Sequence, residues 1–239
     1  MKRAIIVFAK KPEAGKVKTR LVPPLSYEEA KELYQCFMKD ALMQYVQLSK
    51  ELNIHIFLAV TPEGSSGYFE GLIAEISKEK KMNADITIIN QRGQDLGTRL
   101  FNAFTSVFFQ GYDQVAITGT DHPTLPNGHI RQCFTALGQK KYDAVIGPAE
   151  DGGYYLLGLK KVQVDYFKDI PWSTDKVLNH TLQALTQKGN TVCLLPQWYD
   201  VDDKNSLSRM IEEIEKNKID NMPFYSKLYL HTLKDVEVS

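Results

Sequence analysis

Cations crowd into one short stretch near the N-terminus, Lys10-Lys11-Pro12-Glu13-Ala14-Gly15-Lys16-Val17-Lys18-Thr19-Arg20, where five of eleven residues are Lys or Arg. With a Pro and a Gly among them, such a loop can wrap backbone amides and positive charge around phosphates. It is not a P-loop: Gly15-Lys16 is followed by Val17 rather than Ser or Thr, and Lys10 stands where the first Gly would be. Lys16, Lys18 and Arg20 are the candidates to neutralise charge on a departing phosphate group. A solvated charged loop is the plainer alternative.

Two acidic segments are the expected counterparts. Thr118-Gly119-Thr120-Asp121-His122-Pro123 puts an aspartate at the end of an apolar run, and Asp200-Val201-Asp202-Asp203 precedes an amphipathic one. Mg²⁺ is commonly held by one or two carboxylates with substrate phosphates and water completing its shell. Asp121, Asp200 and Asp202 are therefore the candidate metal ligands, for Mg²⁺ (or Mn²⁺). In an extended stretch Asp200 and Asp202 point to the same side, and Asp203 reads as a helix N-cap. His122 is left out, since no second His or Cys stands at ligand spacing. Turn or cap roles are the alternative for all three acids.

Gln91-Arg92-Gly93-Gln94-Asp95-Leu96-Gly97-Thr98-Arg99 carries two glycines for close approach to a flat ligand, and polar groups able to read a base edge. Gly147-Pro148-Ala149-Glu150-Asp151-Gly152-Gly153-Tyr154-Tyr155 joins adjacent acids to a glycine pair and an aromatic strand. A hairpin turn explains it structurally. An acceptor pocket explains it functionally, with Asp151 as a general base, Gly152, Gly153 and Tyr154 near the acceptor, and Trp172 as a pocket wall or core residue. There is no G-x-S-x-G elbow, no H-E-x-x-H and no G-x-G-x-x-G after the first strand.

These segments need a scaffold that gathers strand ends. Short apolar runs at Arg3–Phe8, Ile54–Val60, Ile86–Ile89, Gln114–Gly119, Ala144–Pro148 and Thr191–Leu195 read as strands covered on both faces. Amphipathic stripes lie between them, the clearest being Ala30, Leu33, Tyr34, Phe37, Ala41, Tyr45 and Leu48. That stripe opens with a capping box at Ser26 and Glu29. The alternation predicts a single-domain, three-layer α/β/α fold with a mainly parallel mixed sheet. Ligands of such sheets bind beyond the carboxyl ends of the strands, where the chemical segments fall.

The 29 Lys and Arg balance 29 Asp and Glu, which argues against a general nucleic-acid or membrane-surface binder. No apolar run approaches the length of a membrane span, and no signal peptide is evident. Three distant cysteines, Cys36, Cys133 and Cys193, make no metal-spacing pair; they read as core filler in a reducing cytoplasm. Residues 1–220 are read as the domain. Residues 221–239, rich in Phe, Tyr and Leu, are read as an extension that packs on the domain or on a partner subunit, as in a homodimer.

The motifs as a set resemble the bacterial glycosyltransferase-like family called radical-SAM/selenodomain-associated transferases, within the nucleotide-diphospho-sugar transferase superfamily of GT-A fold. The resemblance rests on Phe8-Ala9-Lys10 with Pro12, Gly15 to Leu21, Leu96-Gly97 with Arg99, Gly119 to Pro123, Gly147 to Tyr155, Pro171-Trp172-Ser173 and Asp200-Val201-Asp202, spanning roughly residues 3–207. It implies a nucleotide on the first-strand side, near Ala9, Lys10, Gly15, Gln91, Gly93, Gly97 and Arg99. It also implies a divalent cation at Asp121 with Asp202 or Asp200. The implied reaction is group transfer from a nucleotide sugar to a small-molecule acceptor. The sequence departs from the glycosyltransferase D-x-D pattern: Gly119-Thr120-Asp121 lacks the first acid, and the literal D-x-D comes late at Asp200–Asp202. The basic loop is also similar to nucleotidyltransferase loops that grip a nucleoside triphosphate and release pyrophosphate, so that activity is the alternative. A non-catalytic nucleotide-binding module is the third.

Overall fold

Seven strands form one sheet in the order β3-β2-β1-β4-β6-β5-β7 in the computed structural model, which describes residues 1–81 and 85–233. The strands are β1 (Arg3–Lys10), β2 (Ile54–Thr61), β3 (Ile86–Asn90), β4 (Gln114–Thr118), β5 (Ala144–Pro148), β6 (Tyr154–Leu159) and β7 (Val192–Leu194). All pairs are parallel except those of β6, which returns from β5 and inserts antiparallel between β4 and β5. This is the predicted three-layer, mainly parallel mixed sheet; the six apolar runs match β1 to β5 and β7 within two residues, and β6 is the aromatic strand after Gly152-Gly153.

Alternate residues of each strand enter different helical layers, which is why the runs are apolar without interruption. Ile5, Val7 and Ala9 of β1 face a core shared with α1 (Tyr27–Leu52), α2 (Ser66–Lys80), α4 (Asn127–Gly138) and α6 (Lys204–Glu215). Ala4 and Ile6 face the opposite core, closed by α3 (Leu96–Phe109) and α5 (Val177–Gln187). The capping box is present: the Ser26 hydroxyl accepts from Glu29 N, and Ser26 N donates to the Glu29 carboxylate at 2.7 Å. The three cysteines are free, but only Cys133 is fully buried; Cys36 and Cys193 are partly exposed, so the core-filler reading holds for one of them.

The chain leaves β1 to build β2 and β3 on one side, then crosses back to build β4 on the other. A crevice opens at such a reversal of strand order. Register sharpens it, because β1 pairs with β4 from Arg3↔Gln114 to Val7↔Thr118 and then runs on through Lys10. The basic loop thereby overhangs Gly119 to His122.

The final helix, α7 (Phe224–Thr232), packs on α1. Its N-terminus is held by the buried Asp40 of α1, whose carboxylate accepts from Tyr225 N at 2.8 Å, Ser226 N at 2.9 Å and the Ser226 hydroxyl at 2.6 Å. Residues 234–239 of the expected extension lie outside the described residues. Among the described residues no helix is long and apolar enough to cross a membrane.

Candidate functional site

The loop after β1 is pinned by its few apolar residues. Pro12, Val17 and Leu21 are buried, and the Lys10 ammonium donates to the Lys16 carbonyl at 2.8 Å. Between these anchors Lys18 takes a left-handed backbone conformation, φ 47° and ψ 37°, uncommon outside glycine. The turn directs its side chain inward, against the usual habit of lysine. The side chain is only 4% exposed, and Nζ lies 2.5 Å from Asp121 Oδ1 and 2.6 Å from Asp202 Oδ1. The rings of Tyr34 and Phe37 flank the ammonium, their centroids 5.8 and 5.5 Å away.

Two further contacts bring the acids to one point. Val201 N donates to the Asp121 carbonyl at 2.8 Å, stitching the strand-end loop to the late acidic segment. Asp203 is the N-cap of α6, accepting from Ser206 N at 2.9 Å as its position predicts, and this holds Asp202 at the helix entrance. Burial opposes the charge on Lys18, but the two carboxylates outweigh it and hold the amine above its ordinary pKa. At Asp121 burial is again outweighed, here by Lys18, and the carboxyl sits below its usual range. At Asp202 burial prevails, helped by repulsion from Asp121 and Asp200, and the carboxyl titrates above that range.

Asp200 departs from the expected three-acid set. Its Oδ1 faces His122 Nδ1 at 3.3 Å instead of the Lys18 ammonium. The His122 ring is buried, with Nε2 3.0 Å from the Thr118 hydroxyl, and that hydroxyl lies 3.3 Å from Tyr45 OH. The Thr118 hydroxyl donates its proton to the Tyr155 carbonyl at 3.0 Å, so toward the His122 ring it presents an acceptor oxygen. His122, passed over in the sequence for want of a second ligand, is thus what orients Asp200. Its only sequence signal was adjacency to Asp121.

A cleft of about 580 Å³ lies beside this network. Its floor and walls are Phe8, Leu100, Ile117, Tyr154 and Trp172, and its polar rim holds Asp121, Asp151, Asp175 and Asp200, with Arg20 at the edge. Asp121 also borders a second hollow of about 290 Å³ under the basic loop, lined by Lys10, Lys16, Lys18, Arg20, Tyr34 and Asp202. Charge is therefore segregated: cations gather on the loop side and carboxylates on the side of the apolar cleft. Arg20, 73% exposed and 3.6 Å from Asp203, borders both spaces.

Other expected site residues are spent on the scaffold. The Gln91 amide donates to the Ala9 carbonyl at 3.2 Å and the Ala59 carbonyl at 2.8 Å, tying β1 to β2. Arg99 Nε donates back to the Gly93 carbonyl at 3.0 Å, and Asp95 caps α3 by accepting from Thr98 N at 2.8 Å. None of Gln91, Gly93 and Arg99 lines the two cavities, and α3 reaches only the cleft, through Leu96 and Leu100. Gly97 is needed for packing, since a Cβ there would stand 2.8 Å from Trp172 Nε1. Gly152 serves the β5–β6 turn, with φ 88° and its Cα against the Asp175 backbone, so the hairpin reading accounts for it. Asp151, Gly153, Tyr154 and Trp172 do line the cleft, Asp151 Oδ1 accepting from Gly153 N at 2.9 Å. Gly15 lies in the basic loop, exposed and outside the residues that line the hollow.

Among the described residues no three of His, Cys, Asp or Glu gather closely enough to hold a metal unaided. Two carboxylates do converge on a single cation, and two with substrate phosphates suit the sparse protein ligation of Mg²⁺. The donor set fits a cation brought in with phosphates and does not form a standing all-protein cage.

The family described as "Uncharacterized protein conserved in bacteria (DUF2064)" matches residues 44–174, more than half of the chain, a stretch that includes Asp121, Asp151 and Trp172. No curated protein matches. A crystal structure from Desulfovibrio desulfuricans G20, described as a "putative nucleotide-diphospho-sugar transferase", is 29% identical with TM-score 0.78, covering 96% of this chain and 99% of that one. A cytidylyltransferase from Leptospira borgpetersenii serovar Hardjo-bovis shares 11% identity, TM-score 0.52, over 98% of this chain and 94% of its own. CMP:2-keto-3-deoxy-manno-octonic acid synthetase in complex with CTP shares 9% identity, TM-score 0.52, over 91% and 100%. The last two show likeness of fold.

Proposed function

The chain belongs to the bacterial DUF2064 family, and from that premise we propose that it is a transferase acting on a nucleotide-activated donor, of the nucleotide-diphospho-sugar transferase kind, with a small-molecule acceptor. The radical-SAM/selenodomain-associated type and a cytoplasmic setting belong to the same proposal. The observation that carries it is the convergence of three distant segments on one ammonium: Lys18, Asp121 and Asp202 meet within 2.6 Å at the strand-order reversal, between a basic hollow and an apolar cleft.

In this reading Lys10, Lys16 and Arg20 receive the donor's phosphates, and Lys18 lies beneath them. Positive groups aimed at charge that grows in the transition state usually make the largest catalytic contribution, one donor accounting for about 3 kcal/mol. Asp121 and Asp202 would hold Mg²⁺ or Mn²⁺, which when bound would neutralise the departing phosphate oxygens. Asp151, on the polar rim of the cleft, takes the acceptor's proton, and Tyr154 and Trp172 seat the acceptor's apolar part. His122 keeps Asp200 turned toward the cleft.

Nucleotidyl transfer is the second reading, favoured by the basic loop and by the fold shared with two cytidylyltransferase-type structures. Product analysis separates the two: release of a nucleoside diphosphate supports group transfer from a nucleotide sugar, and release of pyrophosphate supports nucleotidyl transfer. A thermal-shift screen of nucleotides with and without Mg²⁺ comes first, because a ligand that binds only the folded state raises Tm. A shift that needs the cation is expected. A shift indifferent to it supports a non-catalytic binding module, and no shift with any nucleotide overturns the donor reading.

A further inference from the structure

We propose that Lys18 is a tethered counter-ion that closes the Asp121–Asp202 pair to free divalent cations until an anionic donor draws its ammonium away. The inference rests on the donor-binding reading above and adds an order of events to it. The cation would enter with or after the donor, never before.

Three features of the site lead there. The ammonium occupies the point on which both carboxylates converge, 2.5 and 2.6 Å away, so a second cation cannot share it without like-charge repulsion. Lys18 is 4% exposed while the Asp121 and Asp202 side chains are 43% and 46% exposed. The carboxylates are thus open to solvent on the side away from the lysine, and what excludes a free cation is charge, not burial. Lys10, Lys16 and Arg20 line the same hollow, so incoming phosphate groups would find Lys18 within its walls and compete with the carboxylates for it. The pair would then have a net charge of minus two and a place for a divalent ion. Gating by exchange of one cation for another needs no large motion, since a lysine has four side-chain torsions with which to turn.

Direct Mn²⁺ binding without nucleotide, followed by the electron paramagnetic resonance of free Mn²⁺, tests this in the whole protein. Wild type is expected to bind weakly, and Lys18→Met about tenfold more tightly or better. Lys18→Gln should give the same direction of change; it still donates to one carboxylate and so asks less of the fold, which circular dichroism checks. Lys18→Arg, which keeps the charge, should stay as weak as wild type. Adding Asp121→Asn to Lys18→Met should abolish the gain. Equal Mn²⁺ affinity in wild type, Lys18→Met and Lys18→Gln overturns the counter-ion role. If that shared affinity is tight and lost in Asp121→Asn, the carboxylate pair as a cation site survives and only the gating fails. If all three fail to bind Mn²⁺ with or without nucleotide, the cation reading falls with it.

Discussion

Two buried ionic clusters of this protein differ in what satisfies them. Asp40 is met entirely by the polypeptide: two backbone amides and a hydroxyl at the N-terminus of α7. Those amides have no intrahelical partner, so the carboxylate and the helix end solve each other's problem. Lys18 is met by two carboxylates that remain half open to solvent beside a cleft. The first arrangement cannot exchange partners without undocking a helix. In the proposed order of events the second can, with phosphates replacing the carboxylates at the ammonium and a divalent ion replacing the ammonium at the carboxylates. Burial of charge alone therefore does not mark function; replaceability of its partners does.

Asp121→Asn separates the clusters most sharply. Lys18 keeps Asp202 as its partner, so folding should survive, while cation-supported nucleotide binding should fall about 100-fold, measured by calorimetry with Mg²⁺. Unchanged affinity would remove Asp121 from the site. Asp40→Ala should do the opposite, costing about 2 kcal/mol in denaturant unfolding at neutral pH, above the titration of Asp40, by orphaning the amides of Tyr225 and Ser226. Nucleotide affinity per folded molecule should not change.

The Asp40 site also has a pH signature. Burial pushes its carboxyl up to about 6, against the three donors and Lys80, which pull the other way. The folded state therefore holds the proton more tightly than the unfolded chain does, and this group's stabilisation is full below about pH 4 and lost as pH rises through 6. The stability difference between wild type and Asp40→Ala should shrink across that window, by an amount on the order of 3 kcal/mol. A difference that grows with pH would mean the donors dominate instead. The smallest effect is expected at Lys16, whose exposed ammonium pairs with Glu13 at 2.6 Å. Lys16→Ala should weaken triphosphate binding about threefold and leave nucleoside binding and Tm unchanged; equal loss for nucleoside and triphosphate would point to a folding defect.

Much of the frame was legible in the residues. Uninterrupted apolar runs marked the central strands because both their faces are buried, and Ser26 and Asp203 marked helix starts because capping is local chemistry. The strand-end aspartate and the cation-rich loop could be paired on paper, since α/β sheets place such loops at one rim. The antiparallel return of β6 was marked by the Asp151-Gly152 turn, but its insertion between β4 and β5 was not, as strand order follows from which faces pack and periodicity does not report it.

What sequence alone could not do was rank equals. Lys16 and Lys18 stand two residues apart in the same loop, yet one is 66% exposed and the other lies between two carboxylates, a choice made by the left-handed turn at Lys18 and the anchoring of Val17 and Leu21. Asp200 and Asp202 read as one motif, but His122 claims the first and Lys18 the second. Asp40 carries no local signal in the middle of a long helix, and its role is set by α7, whose first amides it accepts. Local signals such as caps, apolar period and turn residues act over a few positions and survive in the linear text. Partnership of charges is decided by groups many residues apart, and only the folded chain brings those within a few ångströms.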